Sequence, residues 1–455
     1  MSLDDVVAFV MAGGRGSRLK VLTRDRTKPA VAMLGVYRIF DFAATNVSNS
    51  DIDTMIVATQ FLPRSLNDHI RNGDQWGFDH LDKNLEIFQP YRNFEGETIT
   101  FEGTADSVRK STDRIDTRYN NTDLALILGG DHVYSADYRE VIDYHKSKDP
   151  EITLMTTIIP EEKVPDFGIV KIDDSGRIID FAEKTSDPEI IEEFRLTERT
   201  KQRMGIENPN LNFLGSMGNY AAEWDKLKYF LKTYPGTDFG NHIIPGVRED
   251  GGEIYASIFE GYWRDVGKVN DFYNTNLEFV NNKHLDNIKN ATKTTKRDLP
   301  AAWIQGGASV NGAILSPGDE IYRDSSIRNS VLGYQVVVEG ANIRDSILLG
   351  ADRNQHKDGK LREEHITRIG KGSSIDKTIM DKNVWIGKNV ILSPEYGSPE
   401  ERISNLESIG LKHYDDSNPE THKNADFYIE SENNILVLGK QLNTSKPMIP
   451  DNFEG

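Results

Sequence analysis

The stretch that decides the fold is Val6-Val7-Ala8-Phe9-Val10-Met11, followed by Ala12-Gly13-Gly14-Arg15-Gly16-Ser17-Arg18-Leu19. The apolar run predicts a buried strand, and the glycines after it let the backbone approach a ligand closely. Backbone N–H groups and two arginines at that point suit phosphate groups. A tight turn with solvated arginines is the alternative interpretation. The spacing does not fit a Walker A loop, because no lysine follows the glycines at the required offset. It does not fit a dinucleotide fingerprint either, because Leu19 stands in place of the third glycine.

Strands and helices alternate over the first two-thirds of the chain, which predicts an α/β domain around a parallel or mixed sheet. A helix is expected over Ala136–Lys146, with Ser135 as its N-cap and an apolar face at Tyr138, Val141, Ile142 and His145. The expected strands are Phe9–Met11, Thr54–Ala58, Leu124–Leu128, Ile152–Ile159 and Glu253–Ile258. Ligands bind at the carboxyl ends of such strands, where the glycine loop and Asp131 both fall.

A different pattern follows the polar segment 287–300, which is expected to link a domain of residues 1–286 to one of residues 301–455. Small aliphatic residues recur there at every sixth position: Val331, Val337, Ile343 and Leu349, with the pairs Ile321/Ile327, Ile369/Ile375 and Ile386/Leu392. This period predicts a coiled parallel β-structure of stacked rungs, with an ordinary β-sandwich as the alternative. The charged stretches Asp352–His365 and Ser393–Asp426 are expected to be loops outside the coil.

The composition excludes several classes of protein. The 455 residues carry a formal net charge of -18, which argues against nucleic-acid binding through a basic face. There is no cysteine, so disulfides and thiolate metal sites are excluded. No apolar run is long enough to cross a membrane, and Asp4 and Asp5 do not fit a signal peptide. These features predict a cytoplasmic protein with no membrane partner.

Further glycine, acid and cation motifs follow the opening loop: Lys28–Val31, Arg38–Phe42, Gly103–Val108, Gly130–Tyr134, Glu183-Lys184, Ser216–Gly218, Asp238–Gly240 and Tyr262–Gly267. Each is weak alone, but in this order they resemble the glucose-1-phosphate adenylyltransferases. Gly370–Leu392 resembles the left-handed β-helix of that family. The resemblance implies a Rossmann-like nucleotidyltransferase domain with a mixed sheet, followed by a left-handed parallel β-helix.

The resemblance also implies the chemistry, which is transfer of AMP from ATP to glucose 1-phosphate with release of pyrophosphate, for glycogen or starch synthesis. Arg18, Lys28 and Asp131 would be catalytic, and Asp131 and Asp265 would hold Mg²⁺. The implied nucleotide-binding residues are Ala12, Gly13, Gly14, Arg15, Gly16, Gly103, Thr104 and Asp106. The implied sugar-phosphate residues are Gly168, Glu183, Lys184, Ser216 and Asp238.

Control positions depart from parts of the family pattern. Asp25 stands where members activated by fructose bisphosphate carry a lysine, and Phe88–Pro90 alters a loop near the base. Lys382 and Lys440 resemble lysines that bind 3-phosphoglycerate, which implies an anionic allosteric effector. A homotetramer is implied by the same resemblance.

Three alternatives stay open at this point. One is another sugar-1-phosphate nucleotidyltransferase, forming GDP-mannose or UDP-glucose. A second is a non-catalytic regulatory subunit, against which Arg18 and Lys28 argue. A third is a β-helix acyltransferase, for which the repeat region offers no obvious catalytic histidine, although His356 and His365 are present in a charged loop.

Overall fold

A computed structural model describes residues 3, 5–92, 96–352, 356–357, 360–361, 366–441 and 447–454. The chain forms two compact units. The first unit comprises Met1–Gly14, Phe42–Pro63 and Arg71–Trp263, and the second comprises Arg15–Asp41, Arg64–Ile70 and Arg264–Gly455. The second unit thus includes two segments from the first third of the chain. The domain limits expected at residues 286 and 300 stay a prediction.

A mixed nine-stranded sheet forms the centre of the first unit. Seven strands follow one path: Ile178–Glu183, Gly168–Ile172, Leu211–Glu223, Leu124–Gly129, Val6–Met11, Thr54–Ala58 and Asn84–Phe88. Ile152–Pro160 pairs with Leu211–Glu223 and also with the ninth strand, Ile254–Phe259. The sheet is mixed because Leu211–Glu223 runs antiparallel to its neighbours. All five expected strands are present; Thr54–Ala58 has the expected limits, and the limits of the others differ by at most three residues.

The parallel register sets the position of the glycine loop. The strand Val6–Met11 lies between two parallel neighbours, and Met11 is level with Ala58 on one side and Gly129 on the other. The loops that follow these three strands therefore leave the sheet at one edge. The residues of these three strands are buried except Met11, which is partly exposed, as expected for a sheet covered on both faces.

Both units contain helices. Their limits are Ile39–Asn49, Arg64–Ile70, Thr104–Arg109, Thr112–Arg118, Tyr138–Lys148, Pro188–Phe194, Glu198–Arg203, Trp224–Thr233, Ile244–Glu249, Val269–Asn281, Asp286–Ala291 and Pro399–Ser408. Tyr138–Lys148 buries the predicted face, but the prediction of Ser135 as N-cap is wrong. Asp137 caps this helix, because its carboxylate accepts the Arg139 N–H at 3.0 Å.

The second unit contains the predicted coil of parallel strands. One face is Trp303–Ile304, Glu320–Ile321, Val336–Val338, Thr367–Ile369 and Trp385–Ile386. The remaining coil strands are Ser309–Ile314, Ser326–Leu332, Asn342–Arg344, Ile347–Leu348, Ser374–Asp376, Thr378–Met380, Ile391–Leu392 and Ile435–Leu438. Phe427–Glu430 pairs antiparallel with Ile435–Leu438 at the edge of this sheet. Ile327, Ile343, Ile375 and Leu392 are in register on successive rungs, and all are buried. The stacking is parallel, so the coil prediction is confirmed over the sandwich.

Two segments expected to lack regular structure each contain part or all of a helix. The expected linker begins within the helix Asp286–Ala291. The charged excursion Ser393–Asp426 contains the helix Pro399–Ser408. Ser398 and Glu401 form a capping box at the start of that second helix. Most of Asp352–His365, including His365, lies outside the described residues. Within the described part of the chain, no helix has the length and apolarity needed to cross a membrane.

Candidate functional site

The glycine loop begins in the first unit, where the first strand ends. The Ala12 N–H donates to the Ala58 carbonyl at 2.8 Å. A Cβ at Gly13 would lie 3.3 Å from the Gln60 Cβ, whereas a Cβ at Gly14 would meet no atom within 4 Å. The backbone at Gly14 is therefore open to an approaching group.

The second half of the loop lies in the second unit and packs on the lysine segment. Gly16 has a φ of 67°, and a Cβ there would lie 2.5 Å from the Lys28 Cβ. The Thr23 hydroxyl donates to the Gly16 carbonyl at 2.9 Å and holds this turn. Glycine is required here both by the backbone conformation and by the close approach of Lys28.

Two of the predicted catalytic cations share one carboxylate in the second unit. The Lys28 Nζ lies 2.7 Å from the Asp265 Oδ1, and an Arg18 guanidinium nitrogen lies 3.8 Å from the Asp265 Oδ2. The Lys28 side chain is 6% exposed and that of Arg18 is 52% exposed. A Cβ at Gly267 would lie 2.8 Å from the Arg18 guanidinium, so this glycine leaves it room. A buried ammonium and an exposed guanidinium therefore converge on Asp265.

Asp131 lies in the first unit, two residues after the strand Leu124–Gly129. Its side chain is 36% exposed, and its Oδ1 lies 3.5 Å from the His132 Nε2. The His132 ring packs against Trp263 with 5.1 Å between centroids. Carboxylate oxygens are the ligands that hard divalent cations prefer, and Asp131 is accessible enough to supply them.

Glu183 lies in a close-fitting pocket of the first unit. A Cβ at Gly168 would lie 2.6 Å from the Glu183 Oε2, and a Cβ at Gly240 would lie 2.7 Å from it. The Lys184 Nζ lies 3.3 Å from the Glu183 Oε1. Burial raises the pKa of Glu183, Lys184 lowers it, and Asp238 raises it further. The absence of a side chain at both glycines therefore makes the space that this carboxylate occupies.

The glycine turn at Gly103 is joined to the Asp238 segment by hydrogen bonds. The Thr104 hydroxyl donates to the Asp238 Oδ2 at 3.0 Å and accepts the Phe239 N–H at 3.1 Å. A Cβ at Gly103 would lie 2.4 Å from the Thr237 carbonyl oxygen, so a larger residue would separate the two segments. Hydrogen bonds thus connect Thr104, a predicted nucleotide-binding residue, to Asp238, a predicted sugar-binding residue.

The remaining predicted sugar residue lies on the long strand of the sheet. The Ser216 Oγ accepts the Gly218 N–H at 3.1 Å. Four residues along this strand, Tyr220 stacks on Phe239 with 4.8 Å between ring centroids. Burial raises the pKa of Tyr220, which keeps its phenol protonated at neutral pH.

Asp106 has a structural position inside its helix turn. It is 5% exposed, and its carboxylate accepts the Glu102 N–H at 2.9 Å. The Lys110 ammonium lies 2.7 Å from the same carboxylate. These contacts hold the start of the helix Thr104–Arg109, and nucleotide contact by Asp106 stays a prediction.

Two residues that hold neighbouring segments in place, Gln60 and Arg109, were not predicted from the sequence. The Gln60 side chain forms two hydrogen bonds with the Phe101 backbone, donating to its carbonyl at 2.8 Å and accepting its N–H at 2.6 Å. The Arg109 guanidinium donates to the carbonyls of Leu231 and Gly236, each at 2.7 Å. Gln60 follows a strand end by two residues, a position that could have indicated it. Arg109 carries no such signal, because its partners are distant backbone carbonyls.

The predicted effector lysines meet in the second unit around one carboxylate. Asp352 pairs with the Lys382 ammonium at 3.2 Å and also contacts the Lys440 ammonium. These three residues, with Arg38 and Asp25, line a cavity of about 400 Å³. Burial alone would raise the pKa of Asp352, but the two lysines hold it well below its usual range. Burial and the neighbouring Arg38 lower the pKa of Lys382.

A buried ion pair lies beside this cluster. The Arg26 guanidinium donates to the Asp381 Oδ2 at 2.5 Å, and both side chains are almost completely buried. Burial lowers the pKa of Arg26, but Asp381 and Asp352 outweigh that effect and raise it. Asp381 directly precedes Lys382, so this pair anchors the turn that carries the lysine.

Two family models match the chain. Residues 7–282 match the model described as "Nucleotidyl transferase". Residues 297–409 match the model described as "GLGC left-handed parallel beta-helix domain". With the mixed sheet and the parallel coil, these matches confirm the predicted fold class, and the second supports the left-handed sense of the coil.

Two curated relatives are similar along most of the chain. Both are named glucose-1-phosphate adenylyltransferase. The protein from Desulfitobacterium hafniense is 35% identical over 358 residues, which cover 77% of this chain and 83% of the relative. The protein from Acetivibrio thermocellus is 34% identical over 421 residues, which cover 90% of this chain and 89% of the relative.

Proposed function

Because the chain belongs to the glucose-1-phosphate adenylyltransferase family, we propose that it transfers AMP from ATP to glucose 1-phosphate, releasing pyrophosphate. The product is ADP-glucose, the glucosyl donor for glycogen or starch synthesis. A phosphate oxygen of glucose 1-phosphate attacks the α-phosphorus of ATP, and the bond from that phosphorus to the β-phosphate oxygen breaks. This chemistry needs positioning and charge neutralisation more than a covalent nucleophile.

The observation that carries this proposal is the convergence of Lys28 and Arg18 on Asp265. The exposed Arg18 guanidinium can pair with the departing pyrophosphate, and the buried Lys28 ammonium can neutralise charge at the α-phosphate. Burying an ammonium is costly, so its retention beside a glycine loop fits a functional role better than a stabilising one. Both cations also argue against a non-catalytic subunit.

Nucleotidyl transferases typically use a divalent metal, and we propose Mg²⁺ as the ion here. Asp131 and Asp265 would hold it, since carboxylate oxygens are its preferred protein ligands and both aspartates keep some exposure. The ion would supply positive charge to the phosphates. We expect a chelator to abolish turnover and added Mg²⁺ to restore it, while folding monitored by circular dichroism stays unchanged.

Glu183, Lys184 and Asp238 are proposed to hold glucose 1-phosphate. Glu183 offers a fixed carboxylate to sugar hydroxyls, and Lys184 offers its ammonium to the phosphate. Gly168 and Gly240 leave the space that the carboxylate needs. Gly13 to Gly16 and Gly103 would accommodate the triphosphate and the base.

Pyrophosphate release over a panel of nucleoside triphosphates and sugar 1-phosphates tests the proposal. We expect the highest kcat/KM for ATP with glucose 1-phosphate. A preference for GTP with mannose 1-phosphate, or for UTP, would replace the proposed substrates within the same chemistry. Absence of release from every pair would overturn the catalytic proposal and favour a regulatory subunit.

An anionic effector is proposed for the cavity of Lys382 and Lys440. Its lining includes Arg38 and both lysines, which suits a phosphoglycerate-type anion, while Asp25 on the same lining disfavours a bisphosphate. Asp352 forms ion pairs with both lysines, so an effector would have to displace the Asp352 carboxylate or bind beside it.

A homotetramer is proposed as the assembly, with contacts through the coil. Its first strand, Trp303–Ile304, is an edge, and the two side chains are 48% and 47% exposed. Tyr322 packs edge-on against Trp303 and extends this apolar end. Sedimentation equilibrium measures the mass directly, and a monomer at micromolar concentration would contradict the proposal.

A further inference from the structure

The backbone of Lys20 is strained within the turn that carries Arg18. Lys20 has a φ of 56° and a ψ of -125°, and it interrupts the turn Ser17–Thr23. Residues with a side chain rarely adopt this conformation, and such strain persists only where the surroundings hold it. Arg18 lies two residues before this point, so the direction of the Lys20 backbone affects where Arg18 can reach.

The Lys20 side chain is held by an acid and two aromatic rings. Its ammonium donates to the Asp416 carboxylate and lies 5.5 Å from the Tyr414 ring centroid and 5.1 Å from the Tyr428 ring centroid. The Lys20 side chain is 15% exposed. A cation over aromatic faces beside a carboxylate is favoured electrostatically, more so when partly desolvated.

The three residues around Lys20 form a preorganised cage, defined as Tyr414, Asp416 and Tyr428. The Tyr414 ring stacks on His422 with 4.0 Å between centroids, and the Tyr414 N–H donates to the Phe427 carbonyl at 2.8 Å. Tyr414 and Tyr428 are 5% and 8% exposed. Two cage members come from the excursion Ser393–Asp426, so this segment is more than a loop outside the coil.

The chain after Lys20 is tied to the same part of the second unit. The Arg24 guanidinium donates to the Ala425 carbonyl at 2.6 Å and to the Lys440 carbonyl at 2.7 Å. Val21 is buried, and its Cβ would lie 3.3 Å from a Cβ at Gly439. The contacts of Val21 and Arg24 therefore hold the chain that follows Lys20, and the cage holds Lys20 itself.

We propose that Lys20 is a positioning residue for the transfer reaction, held by the cage so that Arg18 faces the triphosphate. This inference rests on the proposed function, in which Arg18 stabilises the departing pyrophosphate. Lys20 acts through the loop backbone and does not itself contact the substrate. The C-terminal excursion thereby contributes to catalysis without supplying a reacting group.

The main test compares steady-state kinetics of Lys20→Met, Lys20→Arg and Asp416→Asn with the wild-type protein. We expect Lys20→Met to lower kcat/KM for ATP roughly 10- to 100-fold, since small misplacements of a catalytic group have effects of that size. Asp416→Asn should change kcat/KM in the same direction by a smaller factor. Lys20→Arg keeps the cation over the rings and should restore most of the activity. KM for glucose 1-phosphate should stay within about twofold of wild type, because Glu183 and Lys184 lie on other segments.

A double-mutant cycle separates positioning from direct binding. If Lys20 acts through Arg18, then Lys20→Met should cause little further loss in an Arg18→Ala background. Fully additive losses would mean that Lys20 binds phosphate itself and would overturn the proposal. Asp415→Asn is the matched control, because Asp415 is adjacent to Asp416 and bonds to Ser417 at 2.7 and 2.8 Å, outside the cage.

Hydrogen exchange distinguishes failure of this inference from failure of the proposed function. If the wild-type protein transfers no nucleotide, exchange at residues 15–24 still reports whether the cage orders the loop. Faster exchange there in Asp416→Asn than in Asp415→Asn supports the cage. Equal exchange, or wild-type kinetics in Lys20→Met, overturns it.

Discussion

Two buried lysines of the second unit, Lys28 and Lys382, each pair with a carboxylate but in different surroundings. Lys28 lies 2.7 Å from Asp265, beside an Arg18 side chain that is about half exposed. Lys382 lies 3.2 Å from Asp352 and is surrounded by further cations, which with burial lower its pKa well below the ordinary value. The first pair leaves an accessible cation for a substrate. In the second pair, Asp352 already neutralises the charge of Lys382, which suits a regulated site better than a catalytic one.

The largest expected effect comes from breaking the first pair. Lys28→Ala should lower kcat by about 100- to 1,000-fold or more, because a preorganised charge at the transferring phosphate is lost. Arg18→Ala should cause a comparable loss. Pyrophosphate release measures both, and thermal unfolding checks that the fold is intact. A Lys28→Ala protein with nearly full kcat would contradict the role assigned to this lysine.

The next effect concerns the sugar pocket. Glu183→Gln should lower kcat/KM for glucose 1-phosphate by roughly 10- to 100-fold, because a charged acceptor for hydroxyl groups is lost. Glu193→Gln is the matched control, since Glu193 is an exposed residue that pairs with Lys171. Equal kcat/KM values for the two variants would mean that Glu183 does not bind glucose 1-phosphate.

The pH dependence follows from the raised pKa of Glu183. The ionised carboxylate accepts hydrogen bonds from sugar hydroxyls more strongly than the protonated acid does, so activity should fall as pH falls through a value above the ordinary glutamate pKa of about 4.3. Initial rates over a pH series measure this limb of the profile. Glu183→Gln should lack the limb, and its persistence in that variant would assign it to another group.

A smaller effect tests the second pair through stability. Burial and Arg38 lower the pKa of Lys382 in the folded state, whereas Asp352 opposes that shift. The unfolded chain therefore binds more protons between the two pKa values, and the free energy of unfolding rises with pH in that window. Asp352→Asn should lower the folded-state pKa further, so the rise should begin at a lower pH and be larger in total.

Chemical denaturation at about pH 7 and about pH 9.5, below the ordinary lysine pKa of about 10.4, measures this slope. Asp324→Asn serves as control, because Asp324 is an exposed residue of the same coil with a φ of 64°, which asparagine tolerates. The same slope in both variants would mean that Asp352 does not sustain the charge of Lys382.

The smallest expected effect is on regulation. If an anion binds this cavity, 3-phosphoglycerate should raise the rate at least about fivefold, a typical allosteric coupling. The activated-to-basal ratio should fall to about one in Lys382→Ala/Lys440→Ala, but not in Lys388→Ala, which changes an exposed lysine of the coil. Activation that survives the double variant would place the effector elsewhere.

The sequence predicted the strands and the coil because local periodicity determines both. Alternating elements around Val6–Met11 and the six-residue step from Val337 to Ile343 each reflect which side chains face a core. The N-cap was misplaced because Ser135 and Asp137 are both good caps and only the backbone path decides between them. The coil was predictable as a repeat, whereas its handedness came from the family.

Much less of the site was predictable from residue patterns alone. The pairing of Lys28 with Asp265 joins residues far apart in the chain, and no local pattern indicates it. The contacts of Lys20 with Asp416 and of Gln60 with Phe101 arise only when distant segments pack together. Motif order identified the family and so the chemistry implied for these positions, but not the partners that hold them.

The most direct test of the central claim is the dependence of pyrophosphate release on both substrates. With the wild-type protein, ATP and Mg²⁺, release should require glucose 1-phosphate and should yield one ADP-glucose for each pyrophosphate. Release from ATP without the sugar phosphate, or no ADP-glucose when both substrates are present, would contradict the account.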